Sequence, residues 1–247
     1  MNQTLTERQK KILMVIIREF IETAEAVGSI SLLNKYNFNI SSATIRNEMA
    51  ELVYAGFLYQ KYTSGGRIPT TKGWRFFVNE ILKDLPVVLR KYQNDEIKYY
   101  LSSISNDSKV LIKEAISLLH KMTKSTCVAI LESNIYYSGL SSLVDIPEFK
   151  EESTALNKIL EILEDYSKLS RILNAGLPDN DLNIIIAEES GIEDFNDYAI
   201  VFSEIRINNK NLGYIASIGP TRMKYDLIIG WIKNISDIVK LVLTQNQ

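Results

Sequence analysis

The sequence predicts an α+β protein, with a winged helix-turn-helix domain over residues 1–85 followed by a mixed α/β domain over residues 86–247. Three observations carry this. Helical periodicity fills the start of the chain, and its third amphipathic segment has a small, polar and basic outer face. A hairpin with a Gly-Gly-Arg tip follows that segment. Beyond it, short apolar runs of strand length alternate with helical stretches.

The first helix opens at Thr6, which with Gln9 matches a capping box, and Ile12, Leu13, Ile16, Ile17, Phe20 and Ile21 recur on one face. It is expected to stop before Gly28. Ser29 then caps a short second helix reaching about Tyr36, and Asn37 to Ile40 makes the turn. Ser41 caps the third helix, whose inner face is Ile45, Met49, Leu52 and Val53. Ala43 and Asn47 point the other way, with Thr44 and Arg46 on the flanks. Gly56 ends the turn, Phe57 to Lys61 reads as a strand, and the tip Tyr62 to Arg67 leads into a second strand ended by Pro69. Gly73 to Leu82 is a connecting helix with Trp74, Phe77, Val78 and Ile81 on one side.

This order of elements suits duplex DNA. The second helix of a helix-turn-helix enters the major groove by its N-terminal part, where short hydrogen-bonding side chains fit and bulky apolar ones do not. Arg46 can donate to guanine O6 and N7 and Asn47 can pair with adenine N6 and N7, although either could instead touch only phosphate. Ser42, Thr44, Tyr62, Lys72 and Arg75 would position the protein on phosphates, with Ser41 at the front of the helix. The wing, Ser64, Gly65, Gly66 and Arg67, would follow the backbone or the minor groove. A surface hairpin and a solvated helix face are the plain alternatives. Charge adds to the case: residues 1–85 carry 11 Lys/Arg against 8 Asp/Glu, whereas residues 86–247 carry 17 against 22.

In the remainder, helices are expected at Val88 to Ile104, Asp107 to Met122, Glu151 to Leu173 and Met223 to Leu243. Strands are expected at Cys127 to Leu131, Ile135 to Leu143, Asn183 to Ala187, Tyr198 to Ile207 and Asn211 to Ile218. Glu188 and Glu189 read as surface carboxylates rather than an acid–base pair. Ile218 to Arg222 reads either as an anion cradle or as a strand-to-helix turn capped by Thr221.

Enzyme chemistry finds little support. One cysteine, Cys127, and one histidine, His120, exclude a disulfide framework and most metal or nucleophile–base sets. No cofactor, catalytic residue or metal ligand is expected. No apolar run approaches the roughly 20 residues of a membrane span, and the first residues lack a secretory signal, so a cytoplasmic protein is expected.

Ser41-Ser42-Ala43-Thr44-Ile45-Arg46-Asn47-Glu48-Met49, then Thr63-Ser64-Gly65-Gly66-Arg67-Ile68-Pro69-Thr70 and Lys72-Gly73, resemble the N-terminal domain of the HrcA heat-inducible transcription repressors. The resemblance resumes at Ser138 to Leu143 with Pro147-Glu148-Phe149, and at Ile218 to Tyr225. It implies a GAF-like second domain, an inverted-repeat operator resembling the CIRCE element before chaperone genes, and a chaperonin as regulatory partner. This chain passes almost directly from the His120 to Leu131 region to Gly139, so the family's dimerising insert is expected to be reduced or missing. A palindromic target still implies a homodimer. Apolar faces of the second domain, or of Val88 to Ile104, would then supply the interface. A rival reading is a winged-helix regulator gated by a metabolite in the GAF-like domain.

Overall fold

The computed structural model describes residues 5–36, 38–60, 65–92, 94–104, 107–132, 134–147, 149, 153–175, 181–208 and 210–245. The chain divides into two compact units, Met1–Lys83 and Asp84–Gln247.

The first unit begins with α1 (Glu7–Thr23), opened by the Thr6 and Gln9 capping box at 3.2 and 3.0 Å. It ends well before Gly28, because Ala24 turns left-handed (φ 58°) and returns its N–H to the Phe20 carbonyl. Helix α2 (Ser29–Lys35) corrects the expected cap: Gly28 is its cap residue, and Ser29 is a buried first-turn residue that makes no capping bond. Helix α3 (Ser42–Tyr54) is capped by Ser41, whose hydroxyl accepts from the Thr44 N–H at 3.1 Å.

Ile12, Leu13, Ile16 and Ile17 of α1 pack with Leu32 of α2 and Ile45 and Leu52 of α3, all fully buried. Each such side chain contributes roughly 1.5–3 kcal/mol by leaving water. The buried Glu19 carboxylate pairs with Lys35 and accepts from the Tyr36 hydroxyl, tying α2 to α1.

Strands β1 (Leu58–Tyr59) and β2 (Ile68–Pro69) pair antiparallel, and α4 (Thr71–Lys83) buries Trp74, Phe77, Val78 and Ile81 as its spacing predicts. Both strands are shorter than the sequence suggests, and the hairpin tip at 61–64 falls outside the described residues.

The second unit is a five-stranded antiparallel sheet with helices on both faces. Its strands are β3 (Thr126–Leu131), β4 (Asn134–Ser138), β5 (Leu182–Ile186), β6 (Tyr198–Ile207) and β7 (Lys210–Pro220), in the order β4-β3-β7-β6-β5. Alternation sorts the faces. Val128, Ile130, Ile200, Phe202, Ala216 and Ile218 pack against α8 (Ser153–Glu164) and α9 (Tyr166–Asn174). On the opposite face lie α7 (Ser108–Thr123) and α10 (Tyr225–Gln245), the latter also packing against α5 (Leu85–Lys91) and α6 (Asp95–Ser103).

Two stretches expected as single helices are each broken in two. Asn94 accepts from the Glu96 and Ile97 N–H groups at 3.0 and 3.1 Å and starts α6 afresh. Asp165 does the same for α9 through Ser167 and Lys168 at 2.9 and 3.1 Å. An Asx side chain bonded to its own backbone competes with helix continuation. The strand expected to reach Leu143 stops at Ser138 and gives way to a 3-10 turn, Leu140–Leu143. Thr221 does not cap the last helix, which starts at Tyr225; the Thr221 N–H donates to the Asp197 carbonyl at 3.1 Å instead.

Candidate nucleic-acid interface

The N-terminal half of α3 presents the polar rim. Ser41 and Thr44 share a hydroxyl contact at 2.9 Å that completes the cap, so both side chains are committed to the helix start. Arg46 and Asn47 follow, both exposed, and among the described residues neither side chain makes a hydrogen bond. Glu48, the carboxylate next to them, is neutralised by Arg8 of α1 at 3.1 Å. Arg46 and Asn47 thus offer a free guanidinium and a free carboxamide, the two groups that read purine edges bidentately.

The hairpin is fastened beside this rim. Val27 and Arg67 exchange backbone hydrogen bonds at 3.0 and 2.8 Å, a one-residue antiparallel bridge between the α1–α2 connection and the base of β2. Gly66 permits the approach, because a Cβ there would stand 2.4 Å from the Ala26 carbonyl carbon and oxygen. Arg67 is half-buried, with its Nη1 donating to the Gly65 carbonyl at 3.1 Å. Its Nε is buried without a hydrogen-bond partner among the described residues. A cleft of about 420 Å³ lies between the bridge, the start of α2 and α3, with Arg46 and Arg67 in its walls.

Of the residues predicted from sequence, Arg46, Gly65, Gly66 and Arg67 are brought together around this cleft, with Ser41, Ser42, Thr44 and Asn47 on the adjoining helix. Lys72 is set apart: its Nζ donates to the Ala55 carbonyl at 2.8 Å and sits 4.4 Å from the Phe57 ring centroid. That places its charge at the rear of α3, about 13 Å along the helix from Arg46 at 1.5 Å per residue. Arg75 is half-buried on α4 with interactions of its own. Tyr62 and Ser64 lie outside the described residues.

Sequence reasoning missed Val27 and Ile30 as cleft walls. Their role comes from a contact spanning forty positions, for which no local signal exists.

In the second unit, Glu188 and Glu189 are exposed, and the Glu189 carboxylate accepts from the Ile186 N–H at 2.9 Å, closing a local turn. His120 is half-buried, with Nδ1 at 2.8 Å from the Ser125 carbonyl oxygen. Among the described residues no group of His, Cys, Asp and Glu could hold a metal ion, and no helix is long and apolar enough to cross a membrane.

The family described as the HrcA protein C terminal domain matches residues 75–229. The chain belongs to the HrcA family. An HrcA relative from Thermoanaerobacter sp. (strain X514), a heat-inducible transcription repressor, is 29% identical over 326 residues, covering 92% of this chain and 94% of its own. That alignment is longer than the 247 residues here, so the relative carries positions with no counterpart in this chain. Another HrcA repressor, from Acetivibrio thermocellus, is 30% identical and covers 96% of this chain and 64% of its own. A solved structure described as a hypothetical protein superposes with a TM-score of 0.81 at 20% identity, covering 99% of this chain and 100% of the other; it shares the fold.

Proposed function

We propose that the chain is a transcriptional repressor of the heat-shock response that binds duplex DNA through the front of α3 and the neighbouring hairpin. The observation that carries this is the pair Arg46 and Asn47, exposed and uncommitted on a helix whose Ser41 and Thr44 hydroxyls and Glu48 carboxylate are engaged within the protein. An unengaged guanidinium and carboxamide at the groove-entering end of a helix have base edges as natural partners. The names of the relatives, repressors and not enzymes, support a regulator.

In this reading residues 1–85 form the winged-helix DNA-binding domain and residues 86–247 a GAF-like domain for sensing or association. The target is an inverted repeat of the CIRCE kind ahead of chaperone genes. The protein acts in the cytoplasm as a homodimer, with a chaperonin as its regulatory partner. Arg46 and Asn47 read bases; Ser41, Ser42 and Thr44 face the adjacent backbone, as do Tyr62 and Ser64 of the wing. Lys72 and Arg75 belong to the outer phosphate contacts.

Selection of bound fragments from a random DNA pool tests the reading, and an enriched inverted repeat is the expected result. On the selected fragment, Asn47→Ala should lose discrimination at one base pair by roughly 1–3 kcal/mol. Equal weakening on selected and random DNA would remove Asn47 from base reading.

A further inference from the structure

The sheet of the second unit has two outer strands, and they differ. Residues Asn183–Ile186 of β5 are buried, whereas β4 is half-buried or exposed along its whole length. Among the described residues β4 pairs with β3 alone, so its other edge is open.

In an antiparallel ladder alternate residues bond to one neighbouring strand or the other. The Glu132 N–H donates to the Leu212 carbonyl at 3.2 Å, so Ile130 and Val128 of β3 bond towards β7, and Leu131, Ala129 and Cys127 bond towards β4. Their partners there are Asn134, Tyr136 and Ser138. Ile135 and Tyr137 therefore aim their N–H and C=O groups off the edge, where no described residue meets them.

The side chains of β4 are already placed. Ile135 packs against the core on the α8 side, the Tyr137 hydroxyl donates to the Leu163 carbonyl, and the Lys113 ammonium of α7 stands 5.8 Å from the Tyr136 ring centroid. What stays open is the backbone. Natural edge strands are commonly protected by a lysine, a proline or a bulge, and Asn134–Ser138 has none of these.

We propose that β4 pairs antiparallel with β4 of a second copy about a two-fold axis at Tyr136, joining the two sheets into one. This rests on the homodimer reading and gives that dimer its surface. The edge is complementary to itself. The axis sets Ile135 opposite Tyr137 of the other copy, so each outward N–H meets an outward carbonyl, and a β-branched side chain stands opposite an aromatic one. The strand carries no charge, so facing itself brings no like-charge pair within the strand. Five residues bury less than the roughly 1,200–2,000 Å² of a stable interface. Leu140 and Val144, apolar and exposed just after the strand, extend the contact, and association depends on concentration.

Amide hydrogen exchange of the full chain, followed residue by residue across a dilution series alongside light scattering, tests this. The Ile135 and Tyr137 amides should slow as the mass rises to twice 28.2 kDa, while the Tyr136 amide, bonded to β3, is protected throughout. Asn134→Lys with Ser138→Lys sets like charges opposite each other in this register and should return the monomer. Asn134→Lys with Ser138→Glu makes the same positions attract and should restore the dimer, with thermal melting unchanged in both. If the paired lysines lower the melting temperature, the exchange measurement on the parent decides alone.

A dimer whose Ile135 and Tyr137 amides exchange as fast as in the dilute chain, or that survives the paired lysines, overturns the edge pairing and leaves the homodimer reading standing. A parent chain that stays monomeric overturns both.

Discussion

Gly66 shows how one residue sets the position of a whole hairpin. Any side chain there meets the Ala26 and Val27 backbone at 2.4 to 2.6 Å, so Gly66→Ala must push the hairpin base off the α1–α2 connection. Overpacking of this kind costs about 1–3 kcal/mol. The expected readout is a lower denaturation midpoint with faster exchange of the Val27 and Arg67 amides; unchanged exchange would show that the bridge survives. Cys127 offers a second test, since burial pushes its thiol from the ordinary 9.0 up to about 12. The unfolded chain therefore releases that proton first, and the group's contribution to stability is whole below pH 9 and declines as pH rises towards 12. Cys127→Ala should flatten that decline, and maleimide at neutral pH should label the protein only after unfolding. At this scale the sequence was informative where chemistry is local. The Ser41 cap and the outward Arg46 and Asn47 follow from helical spacing, whereas the resting place of Arg67 depends on Val27, forty positions earlier.

Helix and strand identities were legible from apolar periodicity, and the boundaries that escaped it share a cause. Ile97 and Leu101, like Leu169 and Ile172, keep the apolar rhythm going past a break, so periodicity alone joins what Asn94 and Asp165 separate. The signal lay in those two residues, each able to bond the N–H groups two and three positions on. Asn94→Ala should cost about 0.5–2 kcal/mol, the usual worth of such a cap. Urea unfolding measures it, and an unmoved midpoint would show that water replaces the side chain. At the far edge of the sheet, Asp181 binds Lys240 at 2.9 Å and Lys233 at 3.3 Å, joining the start of β5 to α10. The Lys240 ammonium, against a smaller opposing effect of burial, holds the Asp181 carboxyl below its usual range. A depressed carboxyl stabilises above its unfolded value and loses that benefit as pH falls through the folded one. Asp181→Asn should thus be less stable than the parent at neutral pH, by a small margin given its exposure, with the gap closing in acid.

For the whole molecule, the mixed α+β class was readable and the strand order was not. Pairing of Thr126 with Ile218 places β7 beside β3 across more than ninety residues, a choice made by sheet closure and not by either segment's composition. At the junction of β3 and β4 Leu131 pairs directly with Asn134, and the alignment to the Thermoanaerobacter relative runs longer than this chain. An inverted-repeat operator needs two copies of the first unit, so light scattering should return twice the 28.2 kDa chain mass at working concentration. A monomer that still protects both halves of the repeat would sink the proposed assembly.

The rear of α3 is held four ways, by Lys72 on the Ala55 carbonyl, Thr70 on that of Gly56, and the backbone links Phe57 to Leu52 and Thr70 to Phe57. Such a helix behaves as a peg glued into a board at its rear. It has little freedom to tilt or slide to suit a different base sequence, so changes of target preference within this scaffold must come from exchanging the protruding side chains.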